Sequence, residues 1–400
     1  MLSFGSASNG IIDTGDAIQS AIRDASGNHA PSDALIVALH LTMGHDDQAV
    51  IPAIRALCPD ARIVGCTCAG VIGREGANES MRAVAVMLVW GDASEVAVTT
   101  TDNLVGANST EAAAALADEM LAAQGAPPQF SMFLGSGIDV DADGCIHGIE
   151  SKFGADRVVF GGTSADNMKG LASFQFLDDE VLEHGAVLVG FYDPTLEVYT
   201  QASHGFVPSG ATMTVTRSTG NAVHELDGEA AWSVFTRNLG LSDAAVPGDT
   251  IPPGAVGVEL TPELAEEYGD SHLLRVITRK LPDGTFLMPV ACPVGTTLAL
   301  MLRDEERIFR NMDVMMDQVR SAIGDRSVVG VFHADCGARG RLMLDGVSKT
   351  EIVERMQAPL RQEGHTPPWL GMYGFGEFAI LGGENRFHNY TTSLYVITRP

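Results

Sequence analysis

The feature that most constrains this chain is an order of elements that occurs three times. Asp13 or Thr14 can cap a short helix with Ile18, Ile22 and Ala25 on one face, and a β-rich run follows at 34–41. Asp46 or Asp47 opens a second helix through Val50, Ile51, Ile54 and Leu57; then come a strand at 62–68, a glycine-containing loop, and strands at 82–90 and 95–101. The order returns with a helix at 110–123, a strand at 129–135, a helix carrying Ile146, Ile149 and Phe153, and a strand at 157–163. Strands near 173–177, 186–192 and 197–203 end this copy in a meander, as the first ends. A third copy has a helix at 304–323 whose Ile308, Met312, Met315, Met316, Val319 and Ile323 follow a helical period, then a strand at 327–333. Ser348 and Glu351 form a capping box before Ile352, Val353, Met356 and Leu360, and strands at 369–376 and 390–398 complete the order. Identity among the copies is slight, so the repeat rests on element order and on glycines: Gly65, Gly161 and Gly371 are expected in comparable positions.

Residues 215–293 read differently. Asp227 is expected to cap a helix through Trp232, Phe235 and Leu239, the stretch 243–262 is rich in Pro and Gly, and 274–277 and 285–290 form a predicted hairpin around Pro282-Asp-Gly284. The fold class is therefore α+β: mixed sheets built from pseudo-repeated helix-strand-helix-strand-strand units, in two domains. Single cores stop growing at about 250–300 residues, which favours such a division. The expected boundary lies near 222, giving domains 1–222, internally duplicated, and 223–400.

Lys and Arg number 25 against 51 Asp and Glu, a formal charge of −26 that disfavours nucleic acid and anionic membrane surfaces as partners. With 45% apolar and 19% charged residues the composition is that of a folded chain. The amino terminus lacks a basic leader and no run is long and apolar enough to span a bilayer, so a cytoplasmic location is expected. The six cysteines contain no C-x-x-C pair, and free thiols are expected.

Ligands of mixed sheets favour the crevice beyond the carboxyl ends of strands, where glycines let backbone approach closely. Those loops read His40-Leu-Thr-Met-Gly-His45, Gly135-Ser-Gly-Ile-Asp139 and His333 to Arg339 after one kind of strand. After the other they read Thr67-Cys-Ala-Gly70, Thr163-Ser-Ala-Asp166 and Tyr373-Gly-Phe-Gly-Glu377. Packed with pseudo-symmetry they would face a shared cleft; otherwise the glycines merely end strands. Thr67, Asp166, Arg339 and Glu377 are the polar groups expected to converge, with Arg339 suited to a ligand carboxylate and Glu377 to an amino group. Neither G-x-G contains a full dinucleotide fingerprint, and no Walker sequence occurs. His333, Asp335, Cys336 and Arg339 hold the inventory of a thiol-dependent hydrolase or transferase, although a cysteine is more often inert packing. Cys66 and Cys68 share a strand face but do not by themselves make a metal site. His388 offers an imidazole to a haem iron if a pocket matches, and is otherwise a strand-capping residue. Cys58-Pro59 and Cys292-Pro293 are Cys-Pro dipeptides of the sort linked to haem regulation, or plain loop punctuation.

Several segments together resemble the FIST family of signal-transduction sensory proteins. The amino half carries Ile63 to Gly70, Phe160 to Asp166, Gly205-Phe-Val-Pro-Ser-Gly210, Val215-Thr216 and Gly220 to Gly228, similar to the family's N-terminal domain. The carboxyl half carries Phe332 to Arg339, Tyr373 to Glu377 and Phe387-His-Asn-Tyr-Thr391, similar to its C-terminal domain. Cys68, where a small residue is commoner, and the idiosyncratic 333–339 loop depart from the pattern. The resemblance implies a non-enzymatic sensor of a small metabolite, with amino acids among its ligands, signalling through a separate partner protein. One branch is implied to bind haem, sense nitric oxide and regulate histidine kinases; otherwise no cofactor is expected. The candidate ligand-binding residues are Thr67, Cys68, Gly70, Gly162, Thr163, Asp166, Cys336, Arg339, Tyr373 and Glu377, with His388 a metal ligand only in a haem-binding protein.

Overall fold

The computed structural model describes residues 1–400. The threefold repeat is present, but each unit starts one element earlier than the sequence suggests, on a strand. The first unit runs through strand Ser3–Asn9, helix Thr14–Ser26, strand Ile36–Thr42, helix Asp47–Arg55, strand Arg62–Cys68, a hairpin of Val71–Gly73 and Gly76–Asn78, and strand Val84–Trp90. The second has the same order in Val96–Thr101, Ser109–Gln124, Phe130–Gly135, Ala142–Phe153, Val158–Thr163, the hairpin Gln175–Leu177 with Glu180–Leu182, and Ala186–Phe191. The third has it in Glu197–Ser203, Glu305–Ile323, Ser327–Cys336, Gly346–Gln357, Trp369–Gly374, the hairpin Gly376–Leu381 with Glu384–His388, and Thr392–Arg399.

Pairing explains the shift. The last strand of each expected meander belongs to the next unit: Val96–Thr101 pairs with Ala186–Phe191, and Glu197–Ser203 pairs with Thr392–Arg399. In every unit the two strands joined by the second helix are parallel, and the final strand lies antiparallel beside them. The hairpins are exchanged. Val71–Gly73 joins Trp369–Gly374 of the third unit, Gln175–Leu177 joins Arg62–Cys68 of the first, and Gly376–Leu381 joins Val158–Thr163 of the second. Three six-stranded sheets result, none complete without a neighbour's strand.

Side-chain alternation places the layers. Ile36 and Ala38 enter the central core while Val37, Leu39 and Leu41 pack under the first unit's helices. The equivalent faces of the other sheets contribute Phe160, Phe191, Phe332, Met372 and Tyr395 to the same central core. Phe160 stacks on Tyr395 at 4.8 Å and meets Phe332 at 5.4 Å, so one ring bridges two units; truncating such a residue costs about 3–5 kcal/mol. Gly65, Gly161 and Gly371 sit opposite Leu39, Phe133 and His333 on the parallel partner strands. A Cβ at Gly65 would stand 2.4 Å from the Leu39 carbonyl oxygen, and one at Gly161 2.1 Å from that of Phe133.

Several local expectations are corrected. Helix Gly346–Gln357 is capped by Asp345, whose carboxylate accepts from the Ser348 amide; Ser348 itself lies inside the helix. Asp227 caps no helix. It turns the chain at φ 53° and accepts from the Thr214 amide, while helix Ala231–Asn238 starts without a side-chain cap. The run at 369–376 is two strands parted at Phe375. Residues 206–303 form an insert in the third unit, with strands Phe206–Thr219, Ala222–Leu226, Gly254–Glu259, His272–Arg275 and Thr297–Arg303. Position 222 falls at the start of one strand of an antiparallel pair within it. The Pro282-Asp-Gly284 turn is present, but it joins Arg279–Lys280 to Phe286–Leu287, because His272–Arg275 pairs instead with Gly254–Glu259. No helix is long and apolar enough to cross a membrane.

Candidate functional site

The three glycine-bearing strand ends meet in a closed ring of backbone hydrogen bonds. The Ala165 amide donates to the Thr67 carbonyl at 2.9 Å, the Ala69 amide to the Tyr373 carbonyl at 2.9 Å, and the Phe375 amide to the Thr163 carbonyl at 3.2 Å. Each donor stands two residues after the acceptor of its own loop, so the three bonds are equivalent under the pseudo-threefold relation. Of the loops expected to face one another, the three of the second kind, 67–70, 163–166 and 373–377, meet, and they close on one another instead of lining an open cleft.

The side chains there divide into framework and unsatisfied groups. Thr67 accepts from the Phe174 amide through its hydroxyl. Asp166 accepts from the amides of Lys169, Gly170 and Leu171, folding its own loop. The Cys68 thiol points to the Leu41 carbonyl at 3.5 Å, and Gly70 takes the Tyr373 amide on its carbonyl. Gly162 lies opposite Glu377, where a Cβ would meet Met372 Cε at 2.7 Å. Thr163 and Tyr373 serve the ring through backbone, and the Tyr373 phenol is buried. Thr67 and Asp166 therefore build the site, their side-chain oxygens accepting from backbone amides.

Arg339 and Glu377 differ. Arg339 is 1% exposed and Glu377 0%. Strand Ser327–Cys336 runs alongside Trp369–Gly374, pairing Asp335 with Tyr373, and the short turn Gly337–Arg339 carries the guanidinium back so that its Nε donates to Asp335 Oδ1 at 3.0 Å. Its Nη1 is buried without a partner. Glu377 Oε2 accepts from the Thr391 hydroxyl at 2.6 Å, and Oε1 is buried without a partner. Burial holds the Glu377 carboxyl well above the usual range; the Thr391 hydrogen bond opposes this, the Asp335 charge adds to it, and the Arg339 charge works against it. The two residues form no ion pair with one another, although buried polar groups are rarely left unmatched. Asp335 and Thr391 complete the group; only Asp335, four positions before Arg339, was conspicuous in sequence.

A second polar group adjoins it through the insert. The Tyr268 hydroxyl lies 3.1 Å from His388 Nδ1, and His388 is paired with Glu377 across their strands. His204 Nε2 lies 2.8 Å from the His272 carbonyl and so carries the ring proton, leaving Nδ1 to accept from the Phe206 amide. Asp270 accepts from Arg307 and Asn311, and burial raises its carboxyl to about 6. Tyr268, His204 and Asp270 carried no sequence signal because they come from the insert and from a strand end far away in the chain.

Two alternative chemistries fit these residues poorly. Burial raises the Cys336 thiol well above its ordinary value and the Glu377 charge adds to the shift, opposite to what a thiolate nucleophile requires. For haem, burial lowers His388 to about 3 and its Nδ1 meets Tyr268, while its Nε2 is buried without a partner. A carboxyl, a phenol and guanidinium charge surround the imidazole where a flat apolar slot would be needed, so His388 does not fit the axial role. Cys58 and Cys292 are likewise buried.

The FIST N domain matches residues 34–229 and the FIST C domain residues 231–380. An uncharacterised protein of Mycobacterium tuberculosis is 24% identical over 88% of each chain, and one of Mycobacterium bovis 22% identical over 96% of this chain and 97% of the relative. Among solved structures, cyanuric acid hydrolase from A. caulinodans aligns over 100% of both chains at 10% identity and a TM-score of 0.40. PurL of T. maritima complexed with ATP aligns over 100% of this chain and 72% of that one at 9% identity and a TM-score of 0.23. Those scores are too low to transfer an activity. The two domain matches cover nearly the whole chain, which belongs to the FIST family, whose domains are generally described as small-ligand sensory domains of signal transduction.

Proposed function

We propose that this chain is a non-enzymatic sensor that binds a small zwitterion, an α-amino acid in the simplest case, between Arg339 and Glu377. The observation that carries this reading is the pair of unmatched buried atoms, Arg339 Nη1 and Glu377 Oε1, on a guanidinium and a carboxyl that do not pair with each other; a ligand ammonium would offset the burial that raises the Glu377 carboxyl. A ligand carboxylate supplies the acceptor that Nη1 lacks, and an ammonium supplies the donor that Oε1 lacks; charge-assisted bonds of this kind contribute about 1.5–3 kcal/mol each.

Admission requires motion, because both groups are sealed. The loop folded by Asp166 brings Met168, at φ 71°, over Gly337 at the start of the Arg339 turn, which makes it the segment that opens and recloses. A ligand that binds the closed state more tightly shifts the population toward it, and a separate partner protein, a histidine kinase being one such, reads the difference.

A thermal-shift screen of the twenty amino acids against wild type, Arg339→Lys and Glu377→Gln tests this. At least one amino acid should raise the melting temperature of the wild type and of neither variant. A panel without effect, or one acting equally on folded variants, contradicts the reading.

A further inference from the structure

A second site lies outside the ring, where the insert meets the exchanged hairpin of the third unit. A cleft of about 330 Å³, within the size range of small-molecule sites, is walled by Leu260, Leu273, Met288 and Val290 and bears two guanidiniums, Arg275 and Arg386. In a chain with 25 cationic side chains against 51 carboxylates, two cations on one apolar cleft are unusual.

Their partners leave capacity for a ligand. Arg275 forms no ion pair; its Nη1 donates to the Phe387 carbonyl at 2.8 Å and approaches the Leu274 carbonyl at 3.3 Å. Arg386 gives Nη2 to Glu384 at 2.6 Å, while its Nε is buried without a partner. Of the nearby carboxylates, Glu384 and Glu259 on the rim are exposed, while Asp143, whose charge is felt by both guanidiniums, is crowded enough that desolvation raises its carboxyl and weakens it as a partner for them. Exposed carboxylates neutralise weakly, being screened by solvent. An unmatched buried N–H beside an apolar wall calls for an anionic head on an apolar body.

We infer that this cleft binds an amphipathic carboxylate, its head on Arg275 and Arg386 and its apolar body against Leu273, Met288 and Val290. The site is independent of the Arg339–Glu377 reading.

Calorimetric titration of the full chain with octanoate, with octanol as the neutral control, tests the inference. Octanoate should bind saturably at one per chain, with octanol at least about tenfold weaker, the value of one charge-assisted hydrogen bond. Arg386→Gln should weaken octanoate about tenfold or more, and Ala291→Phe, at the exposed mouth, should block it. Glu377→Gln should leave it unchanged. Absent or non-saturable binding, equal affinity for octanol, unchanged affinity in both Arg386→Gln and Ala291→Phe, or loss in Glu377→Gln each overturns the inference.

Discussion

The amide of Ala165 donates to the carbonyl of Thr67 at 2.9 Å, tying the second unit to the first at the same place where Ala69 ties the first to Tyr373 of the third. The ring and the exchanged hairpins make the three units one cooperative body. Arg339, Asp335 and Glu377 stand beside this ring because Asp335 pairs with Tyr373, and Glu377 follows Phe375 by two residues.

Substitution at the repeated glycines should be costly. Gly65→Ala drives a methyl to within 2.4 Å of the Leu39 carbonyl oxygen, a backbone atom with no room to retreat. Overpacking of this kind costs about 1–3 kcal/mol, so urea denaturation should show a loss of about 2 kcal/mol or more. Gly161→Ala should lose at least as much, because its φ of 128° adds strain. Gly125→Ala, with open space around it and a left-handed backbone at φ 76°, should cost only about 1–2 kcal/mol.

Those glycines were legible because a single residue type carried the constraint. The core face of helix Glu305–Ile323 was equally legible: all six apolar positions expected to be buried are buried. What escaped was long-range. Val71–Gly73 is three residues long, and beyond its hairpin mate Gly76–Asn78 its sheet is set by Trp369–Gly374, some 300 positions later. Ser3–Asn9 is likewise defined by Val84–Trp90. At the site, Arg339 and Glu377 could be named from their loops, but not that Thr67 and Asp166 spend their side chains on backbone amides, nor that Tyr268 reaches His388.

Acid sensitivity should include a term from His40. Burial lowers its pKa to about 3, and its one polar contact is the Cys66 thiol at 3.4 Å. The unfolded chain protonates this residue as the pH falls through about 6.5, whereas the folded chain does not until about 3. The contribution is therefore complete above the unfolded value and is lost as the pH falls toward the folded one. His40→Leu should flatten the dependence of unfolding free energy on pH by about 1 kcal/mol per pH unit between about 6 and 4. Parallel curves for wild type and variant would contradict this.

All six thiols are buried, and burial raises the pKa of each. Native protein at pH 8 should resist iodoacetamide and react only once denatured, as counted by mass spectrometry. Rapid, selective alkylation of Cys336 would instead support a thiol-dependent enzyme.

The sharpest test of the central site is calorimetric titration of wild type, Arg339→Lys and Glu377→Gln with an amino acid that stabilises the wild type, and with its amide and N-acetyl derivatives. The amide should bind wild type about tenfold or more weakly and be nearly indifferent to Arg339→Lys; the N-acetyl compound should behave likewise toward Glu377→Gln. Equal binding of all three compounds to wild type, or penalties that simply add when compound and residue are changed together, would contradict a zwitterion held between Arg339 and Glu377.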